Sequence, residues 1–242
     1  MSRPSLLVIV RHAESMRNKA KRAGEKKGIA HFLDEDSRKH VKGIPDHHIA
    51  LSEEGREQAL QTGIGIRERF GTFNYIYHSG YKRTVETMDG ILAAYTEEEQ
   101  ARMRIRQNLF IRERDSGFAY DMIDPVVKKV FPWLKEYWDT FGGFFAHPPG
   151  GESLAQVAER VYLFLNMLVR DRAGKKILVV THGGTIRSFR FLLERWDYDR
   201  ATKWPRGESP KNCGLTVYEF DPEVDRMILK EYNTIFWTPP EE

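Results

Sequence analysis

The chain has 242 residues, with 38 Lys+Arg against 35 Asp+Glu, a formal charge of +3. Hydrophobic residues make up 40% and charged residues 30%, a balance that excludes a disordered chain. The single cysteine, Cys213, excludes an intrachain disulfide framework and a Cys-rich zinc site, and so small a charge gives no reason to expect nucleic acid as a partner.

Leu6–Val10 is a short apolar run, read as a buried first strand and not as a signal peptide, because no small-residue cleavage site follows it. No apolar stretch approaches the roughly 18 residues needed to cross a bilayer. The chain is therefore expected in the cytoplasm, away from membranes, with Cys213 as a small buried apolar residue. Residues 17–47 lose periodicity and are charged and glycine-containing. They are expected to form a charged insertion or a lid. Ser52-Glu-Glu marks a helix start, and the helix should reach Phe70, weakened by Gly63 and Gly65. A strand at Tyr75–His78 and a helix over 81–95 follow. Ile105–Phe110 reads as a third strand, and 121–141 as helix interrupted by Pro125 and Pro132.

Ser153 and Gln156 form a capping box that opens the clearest helix. Leu154, Val157, Val161, Phe164, Leu165 and Leu168 lie on one face of it, and Gly174 ends it. Ile177–Val180 is another buried strand, followed by a helix over about 185–195 and a strand at Leu215–Phe220. Strands alternating with helices predict one α/β domain over 1–242, a mostly parallel central sheet with helices on both faces. Phe131–Phe145 is rich in aromatics, which suits packing over the sheet edge, a contact in a homodimer, or an apolar wall for a ligand. His31, His40, His47 and His48 lack the spacing of a metal site.

Polar clusters follow three of these strands: Arg11-His12, Ser79 to Arg83, and Thr181-His182-Gly183-Gly184. In open parallel sheets ligands bind beyond the carboxyl ends of the strands. Two arginines offer planar forks for phosphate oxygens, and a neutral histidine can act as a nucleophile. The remaining requirement is a proton donor for the leaving oxygen, for which a carboxylic acid is suited.

Arg11-His12-Ala13-Glu14-Ser15, with Asn18, resembles the signature of the histidine phosphatase (phosphoglycerate mutase-like) superfamily. Leu51–Ala59, Ser79–Thr87, Ile111–Gly117, Gly151–Ser153 and Val180–Gly183 resemble its further motifs in order. The resemblance implies the phosphoglycerate mutase-like three-layer sandwich and a phosphohistidine mechanism without metal or cofactor. It makes His12 the nucleophile, with Arg11, Arg83 and His182 on the phosphate oxygens and Asn18 adding a hydrogen bond. Glu113 becomes the proton donor, with Asp115 and Asp121 as neighbouring alternatives, and Arg114 a substrate contact. Ala13 replaces a glycine, which requires a negative φ there, and Gly80 stands where the family often has proline.

The same pocket serves mutases and phosphatases. The acid loop Ile111-Arg-Glu-Arg-Asp-Ser-Gly117 lacks the asparagine, histidine and tyrosine of the mutase loop, and the Leu51 motif lies 39 residues beyond His12. Both favour a phosphatase acting on a small phosphorylated substrate. The alternatives are a cofactor-dependent phosphoglycerate mutase and a non-catalytic phosphate-binding protein. Residues 16–42 hold nine Lys/Arg and four acids, so the basic charge is local and could steer an anion toward His12.

Overall fold

The computed structural model describes residues 3–203 and 208–239. Strand β1 (Leu6–Arg11) leads into α1 (Met16–Glu25), α2 (Glu35–Arg38) and α3 (Glu53–Phe70). Then come β2 (Tyr75–His78), α4 (Lys82–Leu92), α5 (Glu97–Ala101) and β3 (Arg104–Gln107). Helices α6 (Asp124–Val130), α7 (Leu134–Phe145) and α8 (Leu154–Asp171) precede β4 (Lys176–Thr181). The described elements end with α9 (Gly183–Leu193), α10 (Tyr198–Thr202), β5 (Leu215–Asp221) and β6 (Arg226–Thr234). None of the helices among the described residues is long and apolar enough to cross a membrane.

The strands form one sheet in the order β3-β2-β4-β1-β5-β6. Strands β3, β2, β4 and β1 are mutually parallel, and β5 runs against both its neighbours. Side chains alternate across β1, so its unbroken apolar run feeds two cores. Leu6, Val8 and Val10 meet Ile66 of α3 and Met88, Ile91 and Leu92 of α4 on one face. Leu7 and Ile9 meet Val157, Val161, Phe164 and Leu168 of α8 and Ile186 and Phe189 of α9 on the other. Burying each such side chain contributes about 1.5–3 kcal/mol. The result is the expected three-layer α/β sandwich.

Gly63 and Gly65 do not interrupt α3, and they let it pack closely. A Cβ on Gly63 would lie 2.5 Å from the Ile91 carbonyl oxygen, so α3 and α4 approach backbone to backbone. One on Gly65 would enter the Phe236 ring. Pro125 sits in the first turn of α6, where its missing N–H costs nothing. The third strand is shorter than expected, because Asn108 caps a 3-10 turn at Leu109–Ile111. Strand β6 gave no clear alternation: one buried residue, Met227, sits among half-exposed neighbours, and its pairing with β5 shifts register twice.

Residues 17–47 are not structureless. Ser15 and Asn18 form a reciprocal capping box that starts α1. Phe32, Val41 and Ile49 build a small core of their own, with Met16, Ala20 and Ile123 against it. The segment is stitched to residues 120–124 across 78 to 103 positions. Phe32 bridges Ile123, and the Asp124 amide donates to the Phe32 carbonyl at 2.8 Å. The Gly43 amide donates to Asp121 Oδ2 at 2.9 Å. Arg17 and Arg38 donate to the carbonyls of Tyr120 and Asp121.

Candidate active site

His12 follows β1 and is held by three other parts of the chain. Its amide donates to the Thr181 carbonyl at 2.8 Å, the Ala13 amide to Thr87 Oγ1 at 3.0 Å, and Asn212 Nδ2 to the His12 carbonyl at 2.9 Å. Ala13 does not have a positive φ, so the alanine is accommodated without strain. Gly80 does, at 88°, a conformation a proline ring cannot reach.

Hydrogen bonds fix the protons on both imidazoles. His12 Nδ1 lies 2.7 Å from the Ala13 carbonyl oxygen, which can only accept. Nδ1 therefore carries the hydrogen. Burial, with Arg83 and Arg11 adding to it, holds His12 well below its ordinary pKa, so the ring is neutral and Nε2 is a bare lone pair. Thr84 Oγ1 donates to the Tyr81 carbonyl at 2.8 Å, so it accepts from Ser79 Oγ at 2.9 Å. Ser79 Oγ then accepts from His182 Nε2 at 2.8 Å. The bare Nδ1 of His182 faces Glu113 Oε2 at 3.6 Å. His182 is fully buried, and burial first, then Arg83, His12 and Arg11, hold it well below its usual pKa. The two rings meet edge to face, centroids 5.2 Å apart.

The acid loop is held from beneath by Arg160, a residue with no motif to announce it. Its guanidinium donates to the carbonyls of Phe110 (2.7 Å), Arg112 (2.8 Å) and Glu113 (3.0 Å), and binds both Glu152 oxygens at 3.1 Å. Thr181 and Thr185 donate to the carbonyls of Ile111 and Arg112. This sets Glu113 beside His182, with its Oε1 accepting from the Arg114 amide at 2.8 Å and Oε2 4.0 Å from Arg83. Asp115 instead accepts from the Gly117 amide and Asp121 from the Gly43 amide, and neither lines the cavity.

Arg11, His12, Asn18, Arg83, Glu113 and Arg114 line one cavity of about 780 Å³. Arg11 Nη1 donates to the Pro210 carbonyl at 2.6 Å, and its buried Nε has no hydrogen-bond partner. Asn18 uses its carbonyl oxygen as an acceptor for Ser15, 2.8 Å from the hydroxyl. Arg83 is engaged by Asp46, Nη1 to Oδ1 at 3.0 Å and Nη2 to Oδ2 at 3.1 Å, a pairing that sequence reasoning missed. Arg17, Lys21 and Arg187 also line the cavity and were not foreseen as site residues, whereas Trp138 gives the cavity part of the aromatic wall that was one of the expected readings. Trp138 comes from the aromatic segment, whose Phe144 is instead buried against Phe191.

Ligand atoms of His12, Glu113 and His182 lie within 4.8 Å of one another, a spacing that a metal ion could span. The single carboxylate of that set lies 4.0 Å from Arg83 Nη2, however, and a divalent cation would add to the Arg83 and Arg11 charges that line the same cavity. The field suits an anion better. The N-terminus of α9, beginning directly after His182, adds its dipole in the same sense.

The profile of the histidine phosphatase superfamily (branch 1) matches residues 7–233. The chain is 30% identical over 195 residues to the phosphoglycerate mutase-like protein AT74H of Arabidopsis thaliana, covering 72% of this chain and 66% of that protein, a little under two thirds of its length. It is 30% identical to a 2,3-bisphosphoglycerate-dependent phosphoglycerate mutase of Parvibaculum lavamentivorans, over 79% of this chain and 81% of that one. It is 24% identical to the broad-range acid phosphatase DET1 of Saccharomyces cerevisiae, over 95% and 89%. The solved fold of a mycobacterial glucosyl-3-phosphoglycerate phosphatase superposes with a TM-score of 0.67 at 20% identity, over 95% of this chain and 99% of that one. The profile match runs from within β1 to within β6 and takes in the strand-end histidines and the acid loop, and the chain belongs to the histidine phosphatase superfamily, branch 1.

Proposed function

We propose that the protein is a cytoplasmic, metal-independent phosphomonoester hydrolase working through a phosphohistidine on a small phosphorylated substrate. The observation that carries this reading is the bond from His12 Nδ1 to the Ala13 carbonyl, which leaves Nε2 unprotonated in a cavity lined by Arg11 and Arg83. Nε2 attacks phosphorus as the P–O bond to the leaving group breaks, and the Glu113 carboxyl gives its proton to the departing oxygen. The resulting carboxylate takes a proton from water, whose oxygen attacks the phosphohistidine and frees inorganic phosphate and His12. Arg11, Arg83 and the Asn18 amide hold the phosphoryl oxygens as charge develops on them. His182 takes up a proton at Nδ1 when an anionic oxygen faces it, keeping Nε2–H on Ser79. The open, polar cavity and the acid loop favour water over a second hydroxyl as acceptor.

The experiment is turnover of an aryl phosphate in EDTA by the wild type and by His12→Ala. Wild-type hydrolysis should persist in EDTA, and the variant should lose about a thousandfold or more. Unchanged activity in the variant would sink the mechanism. With 3-phosphoglycerate and 2,3-bisphosphoglycerate the expected product is free phosphate; efficient 2-phosphoglycerate formation would make the protein a mutase.

A further inference from the structure

Residues 210–214, which lead into β5, run along one side of the cavity, and backbone bonds hold them there. The Arg11 amide donates to the Gly214 carbonyl at 3.2 Å, the Cys213 amide to the Arg11 carbonyl at 3.0 Å, and the Gly214 amide to the Lys211 carbonyl at 2.9 Å. Trp237 Nε1 donates to the Asn212 carbonyl at 2.9 Å. These bonds leave out the Asn212 side chain, and Asn212 lines the cavity together with Asn18.

Two backbone groups fix which way both amides face. The His12 carbonyl can only accept, so the Asn212 atom 2.9 Å from it is the donor Nδ2. The Ser15 N–H can only donate, so the Asn18 atom 3.1 Å from it is the acceptor Oδ1. That oxygen also accepts from the Ser15 hydroxyl at 2.8 Å and from Asn212 Nδ2 at 3.4 Å. An amide oxygen has two lone pairs, so these donors occupy it fully. The NH2 group is then the end of Asn18 left for a ligand in the cavity. Turning Asn18 by half a turn would set its NH2 against the Ser15 N–H and the Asn212 NH2, donor against donor. It would also offer an oxygen to an anion.

We infer that Asn212 is a positioning residue, whose NH2 group spans the His12 carbonyl and Asn18 Oδ1 and so holds Asn18 with its own NH2 toward the phosphoryl oxygens. One side chain thereby ties the backbone of the nucleophile to a donor that receives its target. The inference rests on the phosphohydrolase reading and deepens it, since Asn212 acts through Asn18.

A double-mutant cycle tests this coupling, with the Kd of inorganic phosphate measured by calorimetry, which needs no turnover. Asn18→Ala should weaken binding about tenfold or more, the size of one hydrogen bond to a charged group. Asn212→Ala should weaken it about three- to tenfold in the otherwise wild-type protein, and by less than about twofold where Asn18 is already alanine. Asn212→Leu keeps the volume and removes the donor, so it should give the same pattern and stands in if Asn212→Ala fails to fold. A side chain that only stiffens its loop would lower the Tm and leave phosphate binding unchanged. That result, or losses from Asn18 and Asn212 that simply add, would overturn the inference. A wild type that binds phosphate yet hydrolyses no aryl phosphate would sink the phosphohydrolase reading alone, and the cycle would still decide the role of Asn212. A wild type that binds no phosphate would overturn both.

Discussion

Asp46 takes both N–H groups of Arg83 Nη1, through its carbonyl at 2.7 Å and Oδ1 at 3.0 Å, and one of Nη2 through Oδ2, so only the second Nη2 hydrogen and Nε–H are left for a phosphate. The guanidinium is nearly fully buried, so its partner is not easily replaced by water. Asp46 is further held by the Tyr120 hydroxyl, which donates to Oδ1 at 3.2 Å. The carboxylate is thus a resident competitor for the phosphoryl site. Asp46→Asn removes the charge and keeps the shape, and inorganic phosphate should then inhibit about three- to tenfold more tightly. An unchanged inhibition constant would mean that phosphate uses other donors. Asp46 was not read as a site residue, because its tie to Arg83 spans 37 residues and leaves no local pattern. His12, Arg11, Arg83 and His182 were legible because each ends or follows a buried strand with an abrupt polar cluster. Arg160 and Glu152 were not recognised as the brace of the acid loop. On a helix and beside it, their charges look like any solvated face until the loop carbonyls are seen around them.

At the scale of elements, glycine mattered most where propensity misread it. Gly63 sits against the Ile91 backbone, and Gly90 against Ala59, so the α3–α4 layer depends on missing side chains. Helix propensity alone would favour Gly63→Ala. The close approach reverses that, and the substitution should cost about 1–3 kcal/mol, read as a lower urea midpoint at constant slope. A midpoint that rises would show that the helices can separate freely. Helices α3, α4, α8 and α9 and strands β1, β2, β4 and β5 could be read ahead of the structure, α3 and α8 from their Ser52 and Ser153 caps, and α4 and α9, which have no side-chain cap bond, from the alternation of strands and helices. Strand β6 could not, since an edge strand half open to solvent and twice out of register has no clean period of two. The 17–47 segment hid α1 behind its charge, although Ser15 and Asn18 spelled its cap.

For the whole molecule, buried neutral histidines set a pH limit. His12 and His182 lie well below their ordinary pKa through burial, and burial lowers His31 and His78 as well. The unfolded chain therefore binds more protons than the folded one just below pH 6.5, so stability falls as pH falls. Each fully shifted histidine contributes a slope of up to about 1.4 kcal/mol per pH unit. Urea midpoints should drop between pH 7 and 5.5, above the range in which most carboxylates titrate. A flat profile there would mean that these rings are protonated in the folded state. A different consequence follows from the stitching of residues 17–47 to residues 120–124. Phe32, Arg38 and Gly43 have their counterparts in Ile123, Asp121 and Asp124, so neither stretch is a complete part by itself. Grafting one of them onto a relative would carry half a clasp; a chimaera needs both stretches together.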